Sequence, residues 1–413
     1  MRVSVEAYGC AANQGDASIA RGILEAQGHR LVGSADEADV AVLFTCCVIH
    51  RTEQRMLSRL RELMRQDVGV VVAGCMPAVY PDKIRAVAPH ALMLGPREVH
   101  RMAEALDGRQ LSENKALLPR RVGLRLDVPV ADGCRYNCSY CITRQARGRL
   151  TSYDEDALVS VAEQALRQGC RELRLTCQDT AIYGVDTDAS LESLVSRIAM
   201  LPGSFRVRVG MMHPLSVMQR PDVLDVFAHE KVYRFLHLPL QSGSTGVLQR
   251  MRRGYTARDV LDIVAGVRKR YPGITIATDV IVAFPGETWR DFEETCTAVR
   301  HMQPDVVNVT RFSARPGTPA ADMERPDTAM AKDRSRRLSA LAQDIVRERM
   351  QERVDSSTTA LLLERRDGVV VAKTDSYRSV YLPGGETGTL QRVRITGVEG
   401  NHLVGKIDGK EHI

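Results

Sequence analysis

Short apolar runs alternate with helical patterns from residue 3 to about residue 312 of this 413-residue chain. In the first part, strands are predicted at residues 3–8, 38–44 and 68–73, and the helices between them at residues 16–27 and 53–66. Nearly continuous apolar runs are typical of strands buried on both faces of a parallel sheet. The strand–helix–strand order therefore predicts an α/β fold, with a parallel-sheet domain at residues 1–110.

The same alternation resumes after residues 106–121, a polar segment without clear periodicity that we interpret as a linker. Further strands are predicted at residues 125–130, 171–176, 205–210, 234–240, 275–282 and 306–310. A run of about six strand–helix units is typical of a partial or full (βα) barrel. We therefore expect a partial TIM-type barrel in a central domain at residues 120–345.

The pattern changes again after a strongly charged helix at residues 331–353. Short strands separated by glycine and aspartate are predicted at residues 358–364, 369–374, 379–382, 389–396 and 402–407. Short strands at this spacing are typical of a small antiparallel barrel of the oligonucleotide-binding type. We expect this third domain at residues 352–413.

Composition narrows the class of protein. Hydrophobic residues make up 44% of the chain and charged residues 26%, as in ordinary globular proteins. No apolar run approaches the roughly 20 residues that a membrane helix needs, and the N-terminus lacks the apolar core of a signal peptide. We expect a cytoplasmic protein without a membrane partner. Its ten cysteines are then not expected to form disulfides, and those in motif-like spacings are more often metal-binding or redox-active. The net charge of +6 is compatible with a polyanionic partner.

Cys10, Cys46 and Cys75 each follow directly after a predicted strand of the first domain. Because the carboxyl ends of parallel strands meet at one edge of a sheet, where ligands also gather, these thiols are expected to converge. The alternative is that they are buried core residues. We adopt that interpretation for the more isolated Cys170, Cys177 and Cys296.

The strongest motif is DGCRYNCSYC, in which Cys134, Cys138 and Cys141 follow the first strand of the central domain. Three thiolates in eight residues can bind three irons of a cubane cluster and leave the fourth iron open to a small molecule. The alternative is a structural zinc site. Zinc needs a fourth cysteine or histidine nearby, and neither His100 nor His213 lies in motif spacing.

The CxxxCxxC spacing at a barrel-type strand end resembles the radical S-adenosylmethionine superfamily, and the rest of the chain is similar to its methylthiotransferase family. The resemblance implies a [4Fe–4S] cluster on Cys134, Cys138 and Cys141, as the catalytic site at which S-adenosylmethionine is cleaved to a radical. It also implies that Tyr140 lies beside the adenine of this cofactor.

The stretches YGCAANQGD, Thr45-Cys46 and Ala73-Gly74-Cys75 resemble the Rossmann-like amino-terminal domain of that family. The resemblance implies an auxiliary iron–sulfur cluster, held as a second [4Fe–4S] cluster by Cys10, Cys46 and Cys75. Cys46 matches the family ligand because it follows Thr45 directly, and Cys47 stays open as the alternative.

Other stretches, TCQDT, HLPLQSGS and FPGE, are similar to the strand ends that bind the cofactor in this family. They imply contacts to S-adenosylmethionine from Gln178, Asp179, Gln241, Ser242 and Glu287. The family carries glycine where Ala283 stands. Taken alone, each stretch is a weak signal, and FPGE is more often a turn before a helix.

The third domain is similar to the TRAM domain, a small RNA-binding module. Such barrels hold RNA on a strand face through basic and aromatic side chains. The candidates here are Tyr377, Arg378, Tyr381, Arg392 and Arg394. The alternative is a solvated charged face.

The resemblance implies that a methylthio group is inserted into an unreactive C–H bond. The GCAANQGD run and the short terminal barrel resemble the archaeal and eukaryotic class, which acts at C2 of N6-threonylcarbamoyladenosine beside the anticodon of tRNA. The implied partners are tRNA, an electron donor such as a flavodoxin or ferredoxin, and a sulfur source. Alternatives are the same chemistry on isopentenyl-adenosine tRNA or a ribosomal-protein aspartate, and a non-catalytic iron–sulfur protein that binds RNA.

Overall fold

The computed structural model describes residues 1–408. The strands of its first part are β1 (Arg2–Ala7), β2 (Arg30–Val32), β3 (Val40–Thr45), β4 (Gly69–Gly74) and β5 (Leu92–Leu94). They form one sheet in the order β2-β1-β3-β4-β5, and every neighbouring pair is parallel. The predicted parallel sheet is confirmed. Its strand order reverses between β1 and β3, the place where open α/β sheets bind ligands.

Helices cover both faces of this sheet. They are α1 (Ala11–Ala26), α2 (His50–Leu63), α3 (Cys75–Val79), α4 (Pro81–Arg85) and α5 (Met102–Asp107). Val42 and Phe44 of β3 pack with α1 and α5, whereas Leu43 packs with α2 and α4 on the opposite face. Burial on both faces explains why the strand reads as one continuous apolar run.

The central part holds the strands β6 (Arg125–Pro129), β7 (Ala131–Asp132), β8 (Thr151–Ser152), β9 (Glu172–Thr176), β10 (Arg206–Val209), β11 (Phe235–His237), β12 (Thr275–Val282) and β13 (Val306–Arg311). Parallel pairs give the orders β10-β9-β6 and β11-β12-β13, and a parallel bridge between Val207 and Val232 joins the two groups. The predicted partial barrel is therefore confirmed. The short antiparallel pair of β7 and β8 lies beside it.

Helices alternate with these strands: α6 (Ile142–Arg147), α7 (Glu155–Arg167), α8 (Leu191–Ala199), α9 (Pro214–Gln219), α10 (Thr245–Arg250), α11 (Ala257–Arg270), α12 (Trp289–Met302) and α13 (Thr328–Gln351). Thr256 and Thr288 begin α11 and α12 with capping boxes, in which a threonine hydroxyl and an aspartate three residues later satisfy free backbone groups. These local signals agree with the helical periodicity of the sequence.

The segment interpreted as a linker is anchored to the rest of the protein. Lys115 in this segment is only 1% exposed, and Leu118 is also buried. The Lys115 ammonium lies 2.6 Å from a carboxylate oxygen of Asp16 and 2.6 Å from one of Asp132. The polar composition of the segment did not reveal these ion pairs, because Asp16 and Asp132, the partners of Lys115, lie outside the segment.

The last part is a closed barrel of β14 (Ser357–Arg366), β15 (Val369–Thr374), β16 (Ser379–Leu382), β17 (Leu390–Glu399) and β18 (His402–Ile407). Its order is β14-β15-β16-β18-β17, and its apolar interior includes Leu362, Val393 and Met350 from α13. One pair, β16 with β18, is parallel, which corrects the all-antiparallel prediction. A closed barrel with an odd number of strands cannot alternate direction throughout. Residues 409–413 of the predicted domain lie outside the described residues.

Among the described residues, we find no helix with the length and apolar character required to cross a bilayer.

Candidate functional site

The N-terminal cysteines lie at the carboxyl ends of three neighbouring strands. Cys10 follows β1 and precedes α1, Cys46 follows β3, and Cys75 follows β4 as the first residue of α3. Gly9 has φ +102°, and a Cβ on it would lie 2.7 Å from the Cβ of Cys46. Gly74 has φ +90°, and a Cβ there would lie 2.6 Å from the Thr45 carbonyl oxygen. Glycine at both positions lets the three loops approach closely.

Asn13 joins these loops through its side-chain amide. Its Nδ2 donates to the carbonyl oxygens of Tyr8 at 3.0 Å and Thr45 at 2.7 Å. Its Oδ1 lies 3.8 Å from the Sγ of Cys75. Sequence analysis included Asn13 only as part of a motif. Asn13 could have been identified from its position, because a side chain in the first turn of the helix after Cys10 lies close to the strand ends.

Cys46 and Cys47 differ in their surroundings. Cys46 lies against Gly9, on the side of Cys10, and burial raises its pKa to about 11. Cys47 is fully buried and lies within hydrogen-bonding reach of the Cys75 thiol. That hydrogen bond, together with the charge of Arg147, holds the pKa of Cys75 below its ordinary value. Cys46 thus lies toward Cys10, whereas Cys47 lies toward Cys75.

The second trio lies in the loop between β7 and α6. The Cys134 N–H donates to the Gly148 carbonyl at 3.2 Å, and the Cys141 N–H donates to the Cys138 carbonyl at 3.1 Å. Gly133 has φ +81°, and a Cβ there would collide with the Arg149 carbonyl. These contacts close the loop into a compact turn at the carboxyl end of β6, as the motif predicts.

A buried guanidinium contacts this trio. Arg253 is 5% exposed, and its Nη1 donates to the Sγ of Cys138 at 3.3 Å. Burial raises the pKa of Cys134 to about 12, so ionised thiols in this loop need a compensating positive charge. Sequence analysis missed Arg253, because nothing in its local pattern distinguishes it from the neighbouring arginines.

The donor sets fit iron–sulfur clusters. The first trio offers three thiols on adjacent loops and the second offers three thiols on one loop, and each trio lies near a buried arginine, Arg147 or Arg253, that can balance cluster charge. Within residues 1–408, no group of three or more cysteine, histidine or carboxylate side chains is arranged to hold a single metal ion. A cubane takes its thiolates on separate irons, so its ligands need not converge on one point.

Two predicted cofactor residues follow β9 and accept hydrogen bonds from neighbouring loops. The Oε1 of Gln178 accepts a hydrogen bond from the Gly133 N–H at 2.7 Å, which orients the cysteine loop. Asp179 is 1% exposed and accepts from the His213 N–H and the Ser216 hydroxyl, at 2.9 and 2.6 Å. Burial raises its pKa to about 6.

His213 lies next to this group and was not predicted as a cofactor residue. Its ring stacks on Tyr136 with centroids 4.1 Å apart. Its Nε2 is buried and has no hydrogen-bond partner among residues 1–408. Burial, and then the charge of Arg253, lowers the pKa of His213 to about 2, so the ring is neutral and can offer one nitrogen to a bound molecule.

The remaining predicted cofactor residues lie around β12. Tyr140 is half-buried and meets Phe284 edge to face at 6.3 Å. Gln241 has φ +65° and a backbone paired with Asp279 and Ile281, while its Oε1 is buried without a partner among the described residues. Gln241 therefore offers a free acceptor.

Ser242 and Glu287 are bonded within the protein. The Ser242 hydroxyl is fully buried and lies 3.2 Å from the Thr295 hydroxyl of α12. One oxygen of Glu287 accepts from the Ala283 N–H at 2.6 Å and from Arg334 of α13 at 2.5 Å. Both side chains hold turns that follow β11 and β12, and the second Glu287 oxygen has no partner among residues 1–408.

Two of the predicted RNA-binding residues join the C-terminal barrel to the central barrel instead, which corrects the prediction for them. Arg378 is 7% exposed and donates to the carbonyl oxygen and carboxylate of Asp305, at 2.9 and 2.7 Å. The Tyr377 ring packs between Tyr233 and Phe235, with centroids 4.8 and 5.0 Å away. These contacts use both side chains at the base of the central barrel.

The other three predicted residues lie elsewhere on the C-terminal barrel. Arg392 and Arg394 are exposed on β17, and Arg394 is aligned with Lys406 of the neighbouring strand. Tyr381 is half-buried, and its ring lies 3.9 Å from that of His402. The aligned Lys406 extends the basic strip and was missed, because strand pairing is not visible in the sequence.

Two family models match the chain. Residues 2–95, which include the first trio, match the uncharacterized protein family UPF0004. Residues 128–299, which include the second trio, match the radical SAM superfamily.

Curated relatives extend over the whole chain. The probable threonylcarbamoyladenosine tRNA methylthiotransferase of Methanothermobacter thermautotrophicus is 39% identical, over 98% of this chain and 99% of its own length. The chain belongs to this family. The threonylcarbamoyladenosine tRNA methylthiotransferase of Drosophila pseudoobscura pseudoobscura is 37% identical over 98% of this chain and 77% of its own length.

Solved structures show the fold of this methylthiotransferase family member in more distant proteins. The radical S-adenosylmethionine methyltransferase TsrM of Kitasatospora setae has a TM-score of 0.57 and 14% identity, and the match covers 78% of this chain and 73% of that one. The cobalamin-dependent S-adenosylmethionine radical enzyme OxsB has a TM-score of 0.52 and 10% identity, over 84% and 56% of the two chains.

Proposed function

We infer that the chain is a radical S-adenosylmethionine methylthiotransferase that acts at C2 of N6-threonylcarbamoyladenosine next to the anticodon of tRNA. The observation that carries this function is the presence of two cysteine trios, one at the strand ends of the N-terminal sheet and one at the strand ends of the central barrel. The chain that holds them is related over its full length to proteins named threonylcarbamoyladenosine tRNA methylthiotransferase. One trio alone would support radical generation. The second trio supplies the site at which sulfur can be delivered.

The loop with Cys134, Cys138 and Cys141 is proposed to hold the catalytic cluster. When bound there, the cluster and S-adenosylmethionine supply a 5′-deoxyadenosyl radical, which is the chemistry of the cofactor rather than of the protein. The protein orients the loop through Gln178 and balances its charge through Arg253. The loop lies at the carboxyl ends of the barrel strands, where barrel enzymes bind their substrates.

For the cofactor pocket, we propose Tyr140, Gln178, Asp179, Gln241, Ser242 and Glu287 as the wall. Gln241 offers a buried acceptor oxygen and His213, whose Nδ1 accepts from the Leu215 N–H, offers a buried Nε2–H donor, and neither atom has a protein partner among the described residues. Direct polar contacts are therefore assigned to them. Asp179 and Ser242 act through the backbone turns that they hold.

The auxiliary cluster is proposed on Cys10, Cys46 and Cys75, with Cys46 preferred over Cys47 because it faces Gly9 and Cys10. tRNA contact is proposed for Tyr381, Arg392, Arg394 and Lys406 of the C-terminal barrel. The functional units are proposed at residues 1–110, 120–345 and 352–413.

An electron donor, such as a flavodoxin or ferredoxin, and a sulfur source are proposed as further partners, because the reaction consumes both electrons and sulfur. A cytoplasmic location is proposed with them. It is supported by the many thiols, which persist in a reducing compartment.

Anaerobic reconstitution tests the enzyme class. Reductant and S-adenosylmethionine should yield 5′-deoxyadenosine, and tRNA that carries threonylcarbamoyladenosine should gain a methylthio group detectable by nucleoside mass spectrometry. Replacing Cys134, Cys138 and Cys141 by alanine should abolish both products. Replacing Cys10, Cys46 and Cys75 should abolish only the methylthio nucleoside. Absence of 5′-deoxyadenosine from the wild-type protein would indicate a non-catalytic RNA-binding protein.

The same assay tests the substrate. With isopentenyl-adenosine tRNA as the competing substrate, the threonylcarbamoyl nucleoside should be the one that is modified. In cells, deletion of the gene should remove the methylthiolated threonylcarbamoyl nucleoside. Its persistence would overturn the proposed substrate while leaving the reaction class intact.

A further inference from the structure

Arg147 connects the loops of the two cysteine trios. It is the last residue of α6, the helix that begins directly after Cys141, and it is fully buried. Its Nη1 donates to Asp132, which lies two residues before Cys134, at 2.5 Å. Its Nη2 donates to Asp16 at 2.7 Å and to Asn13 at 3.0 Å, both in the helix that follows Cys10. One guanidinium therefore contacts the segments that carry both trios.

Lys115 completes a closed group of four charges. Its ammonium lies 2.6 Å from the second oxygen of Asp16 and 2.6 Å from the second oxygen of Asp132. Each carboxylate is thus bridged by both cations, and all four side chains are at most 2% exposed. The Tyr153 hydroxyl adds a hydrogen bond to Asp132 at 2.8 Å.

Stability alone does not account for such a group. Taking four charges out of water is expensive, and apolar side chains of similar volume are often at least as stabilising in its place. What apolar side chains cannot supply is a set of directed bonds with one allowed geometry. The group joins the first helix of the N-terminal sheet to the cysteine loop of the barrel, so that geometry determines how the two trios are placed.

Arg147 also brings a positive charge to the first trio. The oxygen of Asn13 that accepts from Arg147 is the one that faces the Cys75 thiol, at 3.8 Å. Arg147 and Cys75 are both buried, so the charge acts on Cys75 with little screening by water. A cluster on these thiols gains negative charge when it is reduced, and a nearby cation stabilises that form.

We propose that Arg147 is a positioning residue that holds the two trios in a fixed relation and makes the N-terminal cluster easier to reduce. The proposal rests on the proposed function for its sulfur-transfer readout. Its electrostatic part concerns only the cluster held by Cys10, Cys46 and Cys75.

The test compares three variants of the full chain. Arg147→Gln removes both the charge and the fork of donors, whereas Arg147→Lys keeps the charge but cannot bridge the same partners. Arg268→Gln is the control, because it removes another guanidinium with two hydrogen bonds, to the Met302 and Gln303 carbonyls, and contacts neither trio. A background with Cys134, Cys138 and Cys141 replaced by alanine leaves only the N-terminal cluster visible by electron paramagnetic resonance.

Two readouts separate the two parts of the proposal. In the alanine background, Arg147→Gln should make the midpoint potential more negative, while Arg147→Lys and Arg268→Gln keep the parent value. With the barrel cysteines intact, both Arg147 variants should still cleave S-adenosylmethionine. Their yield of methylthio nucleoside per 5′-deoxyadenosine should fall about 10- to 100-fold, as expected for reacting groups misplaced by about 1 Å.

The proposal would be overturned if Arg147→Gln kept both the midpoint potential of the parent protein and its yield of methylthio nucleoside per 5′-deoxyadenosine. If Arg147→Gln fails to bind iron, the Arg147→Lys variant tests the positioning role instead. The same yield of methylthio nucleoside per 5′-deoxyadenosine as in the parent protein would then contradict that role. A wild-type protein that forms no methylthio nucleoside contradicts the proposed function instead, and the potentials still decide whether Arg147 acts on the cluster.

Discussion

At the scale of single residues, Ala283 stands in an unfavourable conformation. It has φ +56°, it is fully buried, and it begins the turn after β12. Left-handed backbone costs a residue with a Cβ roughly 1–2 kcal/mol. The turn is maintained because the Ala283 N–H is bound by Glu287, which is itself held by Arg334.

Ala283→Gly should therefore change the free energy of unfolding by less than about 0.5 kcal/mol, because relief of strain offsets the greater entropy of glycine in the unfolded chain. Ala298→Gly is the matched control. Ala298 is buried in the interior of α12, where the same change should cost about 1 kcal/mol or more. Denaturant unfolding of both variants measures the difference. Equal losses would show that the turn at Ala283 is not strained.

At the scale of elements, the strand-end loops are built around glycines that permit close approach. Gly74 is the last residue of β4 and directly precedes Cys75, and a methyl group there would be 2.6 Å from the backbone of Thr45. A backbone neighbour cannot move aside like a flexible side chain, so the loops of Cys46 and Cys75 would have to separate.

Gly74→Ala should consequently lower the iron content from about eight to about four per chain, the content of one cubane instead of two. Cleavage of S-adenosylmethionine should continue. Gly169→Ala is the control, since Gly169 has a similar φ of +94° but no atom within 4 Å of the added Cβ. Iron analysis of both proteins decides. If Gly169→Ala loses as much iron, strain rather than contact is responsible.

The sequence allowed the elements and the cysteine positions to be predicted, because periodicity and strand-end spacing are local properties. The contacts of Arg147, Arg253 and Lys115 could not be predicted in this way. Their partners lie between 15 and 134 residues away along the chain, and no local pattern records such a pairing. The same limit explains the error at Arg378, which resembles an exposed cation in sequence but pairs with Asp305.

At the scale of the whole molecule, the junction with the C-terminal barrel is a testable element of stability. Arg378→Ala should lower the free energy of unfolding by about 2–3 kcal/mol, less than the usual 3–5 for a broken buried pair. The loss is reduced because Arg349 remains 3.5 Å from Asp305. Denaturant unfolding measures the effect, and a change below about 0.5 kcal/mol, as at ordinary surface sites, would contradict it.

The exposed arginines of β17, Arg392 and Arg394, should affect RNA binding rather than stability, unlike the buried Arg378. Arg394→Ala should weaken tRNA binding at every salt concentration and reduce the slope of log Kd against log salt by about 1, because one phosphate contact is lost. Fluorescence anisotropy titrations over a range of salt give the slope, with thermal unfolding as the check that the fold is intact. An unchanged slope would assign Arg394 to the solvated surface.

The C-terminal barrel is attached at the base of the central barrel, and this position bears on how a long substrate can bind. Tyr377 of the C-terminal barrel packs against Tyr233 and Phe235, near the amino ends of the strands, whereas the loop with Cys134, Cys138 and Cys141 lies at their carboxyl ends. Under the proposed function, an RNA held by the C-terminal barrel that also reaches this loop must span at least the length of a strand, about 17 Å for five residues. Affinity then depends on the reach of the substrate, because a molecule too short to span the two sites loses the gain from bivalent attachment. If the C-terminal barrel holds the RNA as proposed, the architecture selects substrates by size before any base is read.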